Sequence, residues 1–438
     1  MVLVLWTGVF CVNTNVAAHE VKLSLVSPAE VKIRIDSMGP GHSWSFQNAH
    51  AGVLGLAERV EQFRAFDERG NDVGAKKIAT GEFRSNGIAD AIEYVINLPP
   101  PDAASVAHVS WISGDSGLLM LADLLPLGMP GVLLDISLPS GWTCQSHYAS
   151  NRDGKYDVGE PDKTVFLIGR SLRTQSDRIT GLPFNVAMQG QWPFKDEIVA
   201  KVAAKVFTKY LALTGGTPAA RPIIMIAPLP VATGSVKWRA ETRGYTVVLL
   251  MDPRAVVNNW KGQLGIIFTH ELLHLWVPNA LLFDDDYDWF FEGFTLYTAL
   301  VTALELKFID KREFVATLGR VYDSYLSRPD DHSLIEASER RWTSSNSTVY
   351  DKGMLVAFLY DLAIRRDSGG KLSLATVYRK LFAHAPDSGN GNKAIIDLLS
   401  STPAGADLAK NYIEGQKELD LKPLLADQKK LLKSLYYR

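Results

Sequence analysis

At 438 residues the chain exceeds the roughly 250 to 300 at which a single hydrophobic core stops growing, so two domains are expected. Its composition, 47% hydrophobic and 21% charged, is that of a folded globular protein and excludes an intrinsically disordered one. A formal net charge of -2 offers no basic field for a phosphate backbone, so no nucleic-acid partner is expected, and two cysteines, Cys11 and Cys144, exclude a disulfide framework.

Residues 1–18 combine an apolar run, Val2 to Val12, with the small residues Val16-Ala17-Ala18, which fits a cleaved export signal and predicts an exported, periplasmic or secreted, mature chain beginning at His19. The basic residue that usually precedes such a run is missing, which leaves a buried strand as the alternative. No other stretch has the roughly 18 consecutive apolar residues of a membrane span. From His19 to about Ile168 the text alternates at period two between Gly, Pro, Asn and Asp punctuation, as in EVKIRID, IEYVINLPPP and KTVFLIGR, which predicts an antiparallel β domain over 19–190. GVLGLAERVEQF, Gly52 to Phe63, is compatible with a helix or an apolar hairpin, and DGKYDVGEPD, Asp153 to Asp162, reads as an acidic turn because it lacks the terminal glutamate of a calcium loop.

After Pro193 the period changes. KDEIVAKVAAKVFTKYLAL is apolar at i, i+3, i+4 and i+7 and stops at TGGTP, the signature of an amphipathic helix. RPIIMIAPLP and GYTVVLLMDP read as buried strands, and helices are predicted at 259–276, 289–307, 311–326, 351–366 and 373–384. The fold class is therefore α+β: a β domain, then a mixed domain over 191–438 that opens with sheet and ends in a helical bundle.

The sharpest chemical signal is GIIFTHELLHLW, Gly265 to Trp276. Histidines four apart on a helix are about 40° apart around its axis, so His270 and His274 can bind one ion, and Glu271 is close enough to take a proton from an activated water. Two imidazoles and a carboxylate on an otherwise apolar helix are expensive to bury without a cation, which favours one zinc per chain over a satisfied core. A catalytic zinc takes three protein ligands and keeps one position open. Val277 and Ala280 stand where a metzincin needs Gly and His, so the third ligand is sought further on: Glu292, in the first turn of the next helix, with the loop aspartates from Asp284 to Asp288 as rivals.

HELLHLW followed by DWFFEGFTLY, Asp288 to Tyr297, resembles the gluzincin aminopeptidases. Val349 to Phe382 is similar specifically to the glycyl-aminopeptidase family (metallopeptidase family sixty-one), and Ser43 to Asp67 is similar to that family's β domain. The resemblance implies a thermolysin-like catalytic domain and a zinc aminopeptidase acting on peptide substrates. By its YxKG pattern it implies a Tyr350 hydroxyl aimed at the oxyanion, with Lys352 and Gly353 shaping the start of a helix. It also implies a glutamate on a strand before the zinc helix that binds the substrate's free amine, and Glu241, 29 residues before His270, occupies that place. Read from the residues alone, Glu241 is equally a strand-edge charge balanced by Arg239 and Arg243. The sequence departs from the family in two ways: the usual carboxy-terminal PDZ domain is not expected here, and KWRAETRGYTVVLLM, Lys237 to Met251, replaces the GLEH segment. The expected reaction is metal-assisted hydrolysis, with an endopeptidase and a non-catalytic peptide-binding relative as rivals.

Overall fold

The computed structural model of the protein describes residues 19–231, 237–254, 262–384 and 389–421. The export-signal reading and Cys11 fall outside the described residues.

Period-two alternation does in the first half what it should. In Glu30–Asp36 the inward Val31, Ile33 and Ile35 are fully buried while their neighbours face outward. This strand lies inside a six-stranded sheet ordered Tyr156–Val158, Val132–Ser137, His19–Ser27, Glu30–Asp36, Ala91–Asn97, Val60–Phe66. The sheet is not purely antiparallel as expected, because His19–Ser24 pairs in parallel with Val132–Ser137. The long intervening chain supplies the crossover that a parallel pair needs and a tight hairpin cannot. Gly52 to Phe63 forms no α-helix. Gly52 and Gly55, at φ 81° and 77°, break it into a hairpin of Ala49–His50 with Val53–Leu54, a 3-10 turn at Leu56–Arg59, and the strand Val60–Phe66. The acidic turn is built as expected around Asn151, whose side chain accepts from the backbone N–H groups of Asp153 and Lys155.

A four-stranded sheet, Trp111–Ser113, Ser116–Met120, Val165–Arg170 and Trp142–Gln145, has two apolar faces. Leu119, Phe166 and Ile168 point into the first core, whereas Leu118, Met120, Val165 and Leu167 pack on Ala187, Ile223, Met225 and Val248 of the next sheet. Burial on both sides explains why Ser116–Met120 is buried at all five positions and does not alternate.

The next sheet is ordered Arg173–Ile179, Leu182–Met188, Ile223–Pro228, Thr246–Met251, Trp238–Arg243, with parallel pairing in the middle and antiparallel strands at both edges. The two strands that precede residue 190 thus pair here and not with the first sheet. Helix α1 (Asp196–Thr214) buries Val199, Val202, Ala203, Val206 and Tyr210 at helical spacing and ends at Gly215 in the left-handed region. There follow α2 (Gln263–Leu273), a π turn (Trp289–Phe294) leading into α3 (Thr295–Glu305), and α4 (Lys311–Ser327). The chain continues with α5 (Leu334–Glu339), a π turn (Arg341–Ser345) leading into α6 (Asn346–Asp367), α7 (Leu374–His384), α8 (Gly391–Leu399) and α9 (Pro403–Leu408). The expected helices are present, with α2 ending at Leu273 and residues 259–261 outside the described set. The short α5, α8 and α9 were not expected; each is capped by a side chain, Ser333, Asn390 and Thr402 respectively. Because α6 begins at Asn346, Lys352 and Gly353 lie in its second turn and do not shape its start. No helix among the described residues is long and apolar enough to cross a membrane.

One close approach fixes the relation between the π turn and α6. A Cβ on Gly293 would lie 2.6 Å from the Cα of Gly353, and one on Gly353 would lie 2.9 Å from the Trp289 carbonyl. Only glycine at both positions lets these backbones touch.

Candidate metal centre

Helix α2 carries His270 and is capped by His274, in a segment buried on nearly every side. Nδ1 of His274 lies 2.8 Å from the Val277 carbonyl, which can only accept, so a proton sits on Nδ1 and Nε2 is the nitrogen that faces the other two groups. Nε2 of His270 faces Nε2 of His274 at 3.0 Å. The π turn brings Glu292 over both rings, with Oε2 3.2 Å from His270 Nε2 and 3.4 Å from His274 Nε2. Oε2 is buried and has no hydrogen-bond donor.

Two imidazole nitrogens converging with a buried carboxylate oxygen that has no other donor fit a shared cation. Donors arranged tetrahedrally at about 2.0–2.1 Å from one zinc lie about 3.3–3.4 Å from each other, close to the 3.0, 3.2 and 3.4 Å separations seen here. Among the described residues His270, His274 and Glu292 form the one His/Cys/Asp/Glu group of this kind, and their chemistry fits zinc. None of the rival aspartates joins this group, and two are committed elsewhere. Asp285 accepts from the backbone N–H of Asn392, and Asp288 accepts from Arg341 at 2.6 Å.

Glu271 lines the same cavity as the triad and reaches the edge strand Trp238–Arg243. The Thr242 hydroxyl lies 2.8 Å from both its carbonyl and its carboxylate Oε2, so the one hydroxyl proton holds the side chain against that strand. Tyr350, in the first turns of α6, brings its ring to 6.5 Å from that of His270. Arg341, which the sequence reading missed, joins the parts. Its Nη2 donates to Glu292 Oε1 at 2.7 Å and to the Tyr350 hydroxyl at 2.8 Å, and its Nη1 donates to Asp288. Burial alone would raise the Glu292 carboxyl, but Arg341 and the two histidines outweigh it and hold it well below the usual carboxylate range. Burial, reinforced by Glu292, pushes the Tyr350 phenol well above its ordinary value.

These groups line one cavity of about 210 Å³ together with Glu241 on the edge strand. Glu241 Oε1 accepts from Arg243 Nε at 3.1 Å and lies 3.6 Å from His50 Nε2, while Oε2 meets His108 Nδ1. Burial would raise this carboxyl too; Arg243, His108 and His50 hold it well below 4.5. Arg239, the other expected partner, donates to the Trp238 carbonyl instead. The β domain therefore walls one end of the cavity with His50 and His108, residues that no local pattern marks.

No protein-family profile matches the sequence, nor does any curated protein. Solved structures do resemble it. An aminopeptidase N family protein from Idiomarina loihiensis aligns over 93% of this chain and 78% of its own, with a TM-score of 0.77 at 17% identity. An M1 zinc metallopeptidase from Deinococcus radiodurans aligns over 92% and 95%, with a TM-score of 0.57 at 12% identity. A mutant of the latter bound to a Tyr-Ser-Ala substrate gives 0.58 at 14% identity over the same shares. At these identities the likeness is one of fold: β sheets first and helices last, in the architecture that these zinc metallopeptidases share.

Proposed function

We propose that the protein is a zinc-dependent peptidase of the gluzincin type, with a thermolysin-like catalytic domain, and that it acts as an aminopeptidase on peptide substrates. The observation that carries this is the convergence of His270 Nε2, His274 Nε2 and the orphaned Glu292 Oε2 within 3.4 Å of one another, on one cavity with Glu271 and Tyr350. His270, His274 and Glu292 would hold a zinc ion, which would supply Lewis acidity toward the water and the scissile carbonyl. Glu271, a carboxylate beside the ligands but not among them, takes the proton of the attacking water and returns it to the leaving amine. Tyr350 donates its phenolic proton as a hydrogen bond to the oxyanion. Glu241 lies at the walled end of the cavity, where a carboxylate that pairs with a substrate ammonium would limit cleavage to the first peptide bond.

A specific observation favours a second reading. Arg243, His108 and His50 already surround the Glu241 carboxylate, and an anchor balanced in this way attracts an ammonium weakly, as an endopeptidase would allow. One experiment separates the readings: zinc content by metal analysis, combined with hydrolysis of aminoacyl reporters and of amine-blocked peptides. One zinc per chain with cleavage of free-amine substrates alone supports the aminopeptidase. Equal cleavage of blocked peptides assigns the endopeptidase, zinc without turnover assigns a binding relative, and no zinc removes the proposal. The finer likeness to glycyl-aminopeptidases and the export of the chain are proposed on the sequence, and exported material that still carries residues 1–18 would refute the latter.

A further inference from the structure

We infer that Arg341 is a positioning residue that limits Glu292 to one-oxygen ligation and fixes the direction of the Tyr350 hydroxyl; the inference rests on the zinc reading above. A carboxylate has two oxygens with which to chelate a metal. Here Oε1 of Glu292 is taken by Arg341 Nη2 at 2.7 Å, and only Oε2 is left, buried and without a donor, facing both imidazoles. A site with three single-atom donors keeps the fourth position for a reactant, whereas a chelating carboxylate would crowd it.

The same Nη2 has two hydrogens and two acceptors, Glu292 Oε1 and the Tyr350 oxygen at 2.8 Å. A tyrosine oxygen that accepts from a guanidinium has only its own proton to donate elsewhere. The rigid plane of Arg341 thus ties the metal ligand and the hydroxyl into one unit. The guanidinium cannot swing away. Its Nη1 is held by Asp288 at 2.6 Å, and it lies 4.3 Å from the Trp342 ring centroid and 5.5 Å from that of Phe291. Asp288, at the N-cap of the π turn, and Glu292 within it stand four residues apart, so one planar fork grips both, a geometry that the point charge of lysine cannot reproduce.

The test compares the wild type with Arg341→Lys, which keeps a positive charge between the two buried carboxylates, and with Arg340→Ala, a control at the exposed neighbouring arginine. Zinc affinity is measured by competition with a chelator, and the cobalt(II)-substituted proteins are compared by visible absorption, which is stronger for four-coordinate than for five-coordinate cobalt. Arg341→Lys is expected to remain folded by circular dichroism and to bind zinc about 10- to 100-fold more weakly. Its cobalt band should weaken as the freed Glu292 oxygen joins the metal, while Arg340→Ala matches the wild type in both. Wild-type zinc affinity and an unchanged cobalt band in Arg341→Lys overturn the inference and leave the zinc reading standing. A wild type that binds neither zinc nor cobalt overturns both. Should Arg341→Lys fail to fold, Asp288→Ala, which removes the acceptor that anchors Nη1 and keeps Arg341, must show the same two changes in smaller measure, and an unchanged Asp288→Ala overturns the inference.

Discussion

Gly293 offers a quantitative test of how the site is assembled. In Gly293→Ala the new Cβ meets Gly353 Cα at 2.6 Å, Gly353 C at 2.7 Å and the Val349 carbonyl at 2.8 Å, so it is blocked by backbone with no flexible side chain to yield. Moving from 2.6 Å to an ordinary contact near 3.4 Å requires the π turn and α6 to part by about 0.8 Å. Overpacking of this kind costs about 1–3 kcal/mol, while replacing a helical glycine by alanine returns about 1 kcal/mol. Gly319, exposed in α4 with nothing within 4 Å of its Cβ position, shows the second effect alone. The difference between Gly319→Ala and Gly293→Ala cancels the propensity gain and reports the overlap, about 1–3 kcal/mol. The assay is urea denaturation of both variants beside the wild type, with turnover measured on the same samples. Gly319→Ala should be more stable than wild type and fully active. Gly293→Ala should be the less stable of the two and lose up to about 100-fold in kcat, because Glu292 rides on the π turn and Tyr350 on α6 and a misplacement near 1 Å has that effect. Equal stability of the two variants would refute the backbone contact, and full activity of Gly293→Ala would refute its importance for the site.

Glu271→Gln should keep its zinc and lose about 100-fold or more in activity, since it removes a proton acceptor and no ligand; loss of metal on analysis would argue that Glu271 is itself a ligand. Replacing His270, His274 or Glu292 by alanine should release zinc, whereas Asp285→Ala should retain it, because Asp285 is bound to the start of α8; the reverse pattern would reinstate the loop as the source of the third ligand. Tyr350→Phe should bind substrate and zinc normally with reduced kcat, and near-wild-type turnover would sink its role. His147, packed 4.1 Å from the Tyr148 ring, has its pKa lowered by burial from 6.5 to about 4. As pH falls from about 6.5 to about 4 the unfolded chain protonates this residue first, so its share of stability is complete above that window and is lost within it. The urea midpoint of His147→Gln should therefore fall less steeply over that range than the wild type's, and parallel curves would refute this.

The features that sequence exposes here are those carried by spacing along one element. HELLH on an apolar helix, Glu292 in the following turn and the inward series Val31, Ile33, Ile35 are local patterns, and the structure contains each of them. Arg341 has no such pattern. It follows Arg340 in SERRWT, where paired arginines read as a solvated face, and its partners Asp288 and Glu292 lie 53 and 49 residues away. His50 and His108 reach Glu241 across 191 and 133 residues, from strands and turns whose text speaks only of a β domain. The strands at 173–188 alternate like their predecessors, and nothing in their alternation tells which sheet they pair with. Short helices such as α8 depend on a single capping side chain and on what they pack against, so their periodicity is too brief to read.

The four-stranded sheet at Trp111–Ser113 and its partners belongs to two cores at once. Neither half of the molecule can be cut away without stripping Leu118, Met120, Val165 and Leu167 of their cover, which would leave a sticky apolar slab. Of the two histidines that the first half contributes to the cavity, His108 lies three residues before Trp111–Ser113 of that sheet, and His50 lies in the hairpin of Ala49–His50 with Val53–Leu54. A chain shortened to either half would therefore lose part of the cavity's lining along with that cover.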